Sequence, residues 1–427
     1  MFARNRFLFL LPVLLICFAP RVEAVSHIWS HGFGAAEHES GKCVAIDSLG
    51  NSVVTGHFRG PVDFGGGPIT SAGFDDIFVA KFDPLGNHVW SHGYGGLGSY
   101  DRGNGVAVDL LGNVLVTGQF RNTVDFGGGP LTSAGGDDIF VAKFDPNGNH
   151  LWSKRFGNGQ DQEGLSIGVD DSGNVLVAGY FFGTVDFGGL GFWSAGLDDI
   201  FVVKFDPDGN HIWSKSFGSA GSQSMDNIAI DGSGNLLTTG SFHVDVNFGG
   251  GVLNSAGDLD IFVAKFDASC NHIWSRSFGS EYEDEGKGVA VDDSGNVLLT
   301  GNFHDAVDFG GGPLTSGGGN DIFMAKYDPS GVHLWSQRFG DSYNQGGGEH
   351  RRRRFGEDRH HGRNVGLRGL RRWDAHECGR QRHLHGAVRS KRCPSVERCL
   401  RRFRPSGPLV RCRQRLFQYS CHGMVLG

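Results

Sequence analysis

Tryptophan returns along this chain at Trp29, Trp90, Trp152, Trp213, Trp274 and Trp335, in steps of 61 or 62 residues. Nearly the same phrase surrounds each of the last five: Asp-Ile-Phe-Val-x-Lys-Phe-Asp-Pro-x-Gly-Asn-His-x-Trp-Ser, as at 76–91 and 138–153. A fixed period of this length means stacked supersecondary units, because one unit cannot bury its own apolar face. The repeat therefore decides the fold.

Each copy holds four apolar runs of strand length. In the second copy they lie at 105–109, 114–120, 138–145 and 150–156. Val, Ile and Phe dominate them, and no helical period competes. Asp-Leu-Leu-Gly-Asn (109–113) and Asp-Pro-Asn-Gly-Asn (145–149) join neighbouring runs. Their Asp, Asn and Gly supply the local hydrogen bonds and the positive φ of tight hairpins. Four antiparallel strands per unit, repeated radially, make an all-β propeller. A β-solenoid fits less well, since its coils repeat faster and lack two hairpins per unit. The excess over a compact blade lies at 124–136, a Gly-rich stretch expected to curl over the blade edge with Val124 and Phe126 as anchors.

At this point the chain resembles the SBBP, or β-propeller repeat, proteins of bacteria. The carrying residues are Asp-Ser-Gly-Asn-Val (171–175 and 293–297) and the phrase at 199–214, and the resemblance spans about 26–345. It implies a propeller, commonly seven-bladed, in exported proteins. It implies no reaction, because the family is defined by its blades.

After Gly348 the period stops. Residues 349–427 carry 21 Lys and Arg against 6 Asp and Glu, a net charge of +15, whereas the first 348 residues carry −22. Taken as it stands, this tail would be a basic arm of the kind that binds polyanions. Its codons point elsewhere. Permissible codons for 376–398, read one base later, spell Met-Ser-Ala-Gly-Gly-Asn-Asp-Ile-Phe-Met-Ala-Arg-Tyr-Asp-Pro-Ser-Gly-Ala-His-Leu-Trp-Ser. That is the phrase of 316–336 again, with its Trp 61 positions beyond Trp335. Residues 349–354 and 411–425 yield further repeat fragments in the same way. A slipped frame at Gly346-Gly347-Gly348 is thus expected to have produced an irregular tail, and nucleic-acid binding is not expected. The chain as it stands encodes five full units plus a leading Ser-His-Ile-Trp-Ser (26–30). The shifted frame supplies a sixth unit and opens a seventh, which the leading segment would complete.

Arg4 and Arg6 precede the apolar run 7–19, and Val22-Glu23-Ala24 ends in a small residue, the pattern of a signal peptide cleaved after Ala24. Export to the periplasm, the cell surface or the medium is expected, with no membrane span and no lipid on Cys17. The propeller segment then keeps Cys43 and Cys270, expected as packed thiols.

No catalytic constellation is expected: there is no His-Glu-x-x-His, no Walker loop, no Cys-x-x-Cys in the repeats, and no serine nucleophile elbow is anticipated. His88, His150, His211, His272 and His333 belong to different blades and read as structural, not as metal ligands. Asp-Pro-Asp-Gly-Asn (206–210) has part of a calcium loop but lacks its bidentate Glu, so it reads as a hairpin turn and Ca²⁺ is only weakly indicated. No other cofactor is indicated. Variation between copies concentrates after each Trp, at 95–104, 157–164, 218–227 and 279–288. These outer-to-inner connections share one face with the long second-to-third loops, and repeats put their insertions on the binding face. Tyr100, Asp101, Asp161, Glu163, Asp226, Glu283, Asp284 and Glu285 are the expected binding residues. The function expected is non-enzymatic, a scaffold or binding module for an extracellular protein or glycan. The alternatives are a propeller lyase or hydrolase with acidic residues at a central funnel, or an inactive fragment of a frameshifted gene.

Overall fold

The computed structural model describes residues 27–34 and 37–345; the expected signal peptide and the basic tail lie outside them. Five four-stranded antiparallel sheets follow one another, each with its strands in chain order, and form a five-bladed β-propeller. The inner strands are Glu39–Ile46, Arg102–Val108, Gln162–Val169, Gln223–Ile230 and Glu285–Val291. They line a narrow apolar channel of about 80 Å³, walled by Val106, Ile167, Ile228, Val289 and their neighbours. None of the described residues is helical, and no helix among them is long and apolar enough to cross a membrane.

The expected blade anatomy holds at every level. In blade 2 the remaining strands are Val114–Phe120, Asp138–Phe144 and His150–Phe156. The Gly-rich insertion folds into a small hairpin, Thr123–Asp125 against Pro130–Thr132, instead of curling loosely over the blade edge. Val124 and Phe126 are buried, as anchors should be. Phe126 packs between Phe140 of its own blade and Tyr94 of the preceding one. The insertion is therefore a plug in the groove between blades.

Alternation along the strands sorts each sheet into two faces. Val114, Val116, Phe120, Phe140, Ala142 and Phe144 face blade 1, and Leu115, Ile139 and Val141 face blade 3. Four apolar clusters arise in this way, one between each consecutive pair of blades. Each buried Phe contributes about 2–3 kcal/mol of transfer free energy. A fifth cluster lies within blade 1 alone. Phe33 of the leading segment stacks on Phe82 there and Trp29 packs against the same ring at a tilt, although the segment pairs with no strand. The expectation that it completes the last blade of a seven-bladed ring concerns units outside the described residues.

Polar residues in the repeated phrase fix the blades to one another. Asp109 Oδ1 accepts the amides of Leu111 and Asn113 at 2.9 Å, and Oδ2 accepts Asn113 Nδ2 at 2.8 Å, which closes the first hairpin turn. The buried Lys143 ammonium reaches the same carboxylate at 3.1 Å and donates to the Pro207 carbonyl of the next blade at 3.2 Å. Trp152 Nε1 donates to that same carbonyl at 3.1 Å. Lys81 and Trp90 treat Pro146 identically. Gly148, at φ +85°, lies beneath Trp90, where a Cβ would come within 2.9 Å of the indole. The Asp-Pro-x-Gly turn is therefore a socket for the preceding blade's Lys and Trp. Cys43 and Cys270 are buried free thiols, as expected.

Burial by itself would raise Asp109, but hydrogen bonds from Asn113 and Lys143 and the Lys143 charge hold it below the ordinary carboxylate range. Its contribution to stability is complete above the unfolded-state pKa of about 3.9 and is lost as pH falls through the folded value. Lys143→Ala is expected to lower the unfolding free energy at pH 7 by about 3–5 kcal/mol, because a buried carboxylate loses its partner. Urea denaturation measures this, and adding Asp109→Asn should recover part of the loss.

Candidate binding site at the channel mouth

Because the strands alternate in direction, the short Asp-x-x-Gly-Asn turns occupy one face and the second-to-third and outer-to-inner connections the other. On the turn face the same side-chain bonds recur at Asp47, Asp109, Asp170, Asp231 and Asp292. On the loop face, residues that differ between copies gather around the mouth of the channel.

Three sets of equivalent positions meet there. Just inside the start of the inner strands stand Ser40, Arg102, Glu163, Ser224 and Glu285. Opposite them on the second strands stand His57, Gln119, Tyr180, Ser241 and Asn302. Two residues further along, every inner strand bulges, at Lys42, Asn104, Leu165, Asp226 and Lys287. A bulge places an extra side chain where regular pairing would have none. The second-strand set was missed from sequence, although it stands beside a Phe shared by all copies.

Charges alternate around this mouth. Between blades 1 and 2, Asp75 pairs with Arg59 at 2.7 Å and lies 3.6 Å from Arg102. Burial, together with the Arg102 charge, lowers the Lys42 ammonium, and burial, Arg102 and Lys42 push the His57 imidazole down to about 3. Between blades 2 and 3, Arg121 bridges Asp137 at 2.7 Å and Asp161 at 2.9 Å. Glu163 is recessed beside them. Burial pushes its carboxyl up to about 7 against the opposing effects of Tyr180 and Arg102. Between blades 4 and 5, Lys287 bridges Asp226 at 2.9 Å and Glu285 at 3.2 Å.

The eight expected binding residues divide. Asp161, Glu163, Asp226 and Glu285 belong to the mouth. Tyr100 is 45 % exposed and stacks on Phe74, ring centroids 5.0 Å apart, with the Arg59 guanidinium over both rings. Glu283 is exposed in its loop. Asp101 and Asp284 are corrections, because both are fully buried and act as loop braces. Asp101 accepts the Gly96 amide, the Ser99 hydroxyl and the Arg121 amide. Asp284 does the same with Ser280 and His304. Gln162 and Gln223 hold this position in blades 3 and 4, accepting Asn158 and Ser219 amides and donating to the Phe182 and His243 carbonyls. Asp and Gln thus replace one another in sequence while the loop-closing bond persists. The variation that suggested binding here conceals one structural role.

Other motifs resolve into packing. Each repeated His sits over the second Gly of the preceding Gly run, and His88, His150, His211 and His272 place Nε2 3.0 Å from a Ser hydroxyl. Both Asp206 oxygens are engaged by turn donors, as a hairpin requires. Gly164-Leu165-Ser166-Ile167-Gly168 does have nucleophile-elbow spacing, contrary to expectation. It lies within an inner strand, however, and its buried Ser166 hydroxyl accepts the Ile228 amide. His38, His57 and Asp75 bring ligand atoms within 4.8 Å of one another, a metal-capable spacing. The two guanidinium groups at Asp75 and the Lys42 charge oppose a cation there.

The fold and this repeated chemistry define a β-propeller repeat protein. Residues 89–119 and 273–302 match the SBBP beta-propeller repeat family. The chain is 23 % identical over 335 residues to an uncharacterized WD repeat-containing protein of Acanthamoeba polyphaga mimivirus, covering 62 % of this chain and 24 % of that one. It is 26 % identical over 184 residues to the regulatory protein FlaEY of Caulobacter vibrioides, covering 41 % and 19 %. It therefore spans a quarter or less of these relatives' length. Solved structures similar to it include a Bacteroides caccae protein of unknown function, with TM-score 0.34, 11 % identity and coverage of 70 % and 94 %. A Synechocystis apocarotenoid oxygenase mutant has TM-score 0.35 and 11 % identity, with coverage of 72 % and 64 %.

Glu163 carries a pH signature. Its folded pKa lies above the unfolded value, so the native state holds the extra proton and stability falls as pH rises from about 4 to about 7. Glu163→Gln is expected to stabilise the protein at pH 8 by about 1–2 kcal/mol, a figure reduced for partial exposure, and to be neutral at pH 4. Thermal unfolding at the two pH values measures it.

Proposed function

We propose that this propeller is a non-enzymatic binding module that acts outside the cell and grips an extracellular protein or glycan with its loop face. The observation that carries the reading is the segregation of variation. The turn face repeats one set of bonds in all five blades, while the loop face gathers copy-specific charges and aromatics. Conserved turns with variable loops on one side suit recognition, since a rigid scaffold can present different groups at no cost to its core. Tyr100 with Phe74 offers a flat apolar platform beside a guanidinium. Trp193, 74 % exposed, replaces the Thr that blades 1, 2 and 5 place in the same hairpin. Aromatic anchors of this kind dominate binding energy at interfaces. The expected signal peptide supports the extracellular placement.

A second reading rests on Glu163. A carboxyl poised near 7 at a channel mouth, beside Tyr180 and Arg102, suits general acid–base work on a glycan. Under that reading Glu163→Gln abolishes turnover and leaves binding intact.

The test is binding of the full chain to a panel of extracellular polysaccharides and proteins. Tyr100→Ala combined with Trp193→Ala is expected to weaken binding by about 10-fold or more. Leu111→Ala on the turn face should leave it unchanged. The reverse pattern would remove the loop face from consideration.

A further inference from the structure

Basic groups gather without partners in one gap of the mouth, between blades 1 and 2. At the bulge position of the inner strands, Asn104 Nδ2 donates to the Gly164 carbonyl, and Asp226 pairs with Lys287 of the next blade. Lys42 holds that position in blade 1, is half-buried and makes no ion pair or hydrogen bond among the described residues. Arg102 lies 3.6 Å from Asp75, and its Nε is buried without a partner. His57 is 3 % exposed, and its Nδ1 is also buried and unpartnered. Asp75 is the carboxylate in contact with this group, yet Arg59 already holds its Oδ1 from two guanidinium nitrogens at 2.7 and 3.1 Å. Asp137 and Asp161, further round, share Arg121. Glu163 acts on Lys42 and Arg102 as well, but burial pushes it up to about 7, so below that pH it is mostly protonated. The gap thus holds more positive charge than the chain neutralises, in a propeller that is acidic as a whole. Buried charges are ordinarily paired.

An aromatic platform stands beside the gap. Phe74 and Tyr100 lie parallel, both about half exposed, with ring centroids 5.0 Å apart. Arg59 lies over both rings while it holds Asp75. A backbone bridge between Asp75 and Tyr100 sets platform and charges in one frame. We propose that this gap is a subsite for one sugar-acid residue of an extracellular glycan, with Lys42 and Arg102 gripping its carboxylate and Phe74 and Tyr100 carrying a neighbouring sugar ring. The proposal rests on the binding-module reading and names its ligand class. A guanidinium matches the two oxygens of a carboxylate, and an ammonium adds a point charge. A pyranose ring offers a face of C–H groups, which suits the negative face of an aromatic ring. An acidic peptide would satisfy the cations but brings no such face beside its charges, so the platform favours the glycan. Attraction is confined to the gap, because charges are screened beyond about 8 Å at physiological salt.

The test is calorimetric titration of the full chain at pH 6, where Glu163 is mostly protonated, in about 0.15 M salt. The probes are the trimers of galacturonate and of glucuronate, their methyl esters, and triglutamate. At least one acid trimer is expected to bind, with its ester and triglutamate at least about 10-fold weaker. Lys42→Met and Arg102→Gln should each weaken that trimer by about 10-fold or more. Lys215→Met removes the same charge from the exposed outer strand of blade 3 and should change nothing. Equal affinity for the ester or for triglutamate overturns the proposal, and this comparison needs no variant to fold. Full affinity in folded Lys42→Met and Arg102→Gln overturns it too. So does failure of both acid trimers to bind, and the loop-face reading then still stands if Tyr100→Ala with Trp193→Ala weakens another ligand.

Discussion

The structure depends on a lysine next to the last residue of each third strand, buried in blades 1 to 4. A lone ammonium in an apolar seam would be prohibitive, yet Lys81, Lys143, Lys204 and Lys265 are each met by the Asp of their own blade's first hairpin turn. The same Asp is already organised by its turn, so the ion pair forms without further ordering. For Lys81 and Lys143 the ammonium also reaches the Pro carbonyl of the next blade. One side chain thereby couples a local turn to an inter-blade seam. It explains why a charged residue stands in an otherwise apolar phrase, and why Trp, Pro and Gly keep fixed distances from it. Removing it strands a buried carboxylate, which costs more than the pair itself contributes.

Once the seams are fixed in this way, the remaining surface is divided. The turn face spends its polar groups on itself: each Asp satisfies its own turn, and little is left to recognise anything. The loop face is built from longer connections braced by an Asp just before the inner strand or a Gln at its first residue. That brace frees the neighbouring positions to vary. The variable positions then converge at the channel mouth because inner strands crowd together near the axis, and the bulges add a side chain there. Burial at this mouth pushes the Glu163 carboxyl up and the Lys42 ammonium and His57 imidazole down, and the Arg102 charge adds to the fall of the last two.

Much of the fold was legible because it rests on spacing. The period, the four runs per unit and the turn residues each reflect a short-range rule of the backbone, and repetition multiplied the signal. Of the expected binding residues, Asp161, Glu163, Asp226 and Glu285 reach the mouth, whereas Asp101 and Asp284 are braces. Sequence variation could not separate the two groups, because Asp and Gln make equivalent loop-closing bonds with opposite polarity toward the chain they meet. His57 and Tyr180 went unnoticed for a related reason: a single variable position beside a shared Phe carries no weight until strand pairing places it opposite Arg102-type residues.

The sequence by itself determined the repeat, the strand count of each blade, the turns and the apolar faces, since all of these follow from local periodicity and φ preferences. Only the tertiary structure decided which variable residues share a site and which carboxylates brace loops. These depend on what lies across a gap of 20 to 61 residues, and such distances are set by packing between blades, which no local pattern encodes.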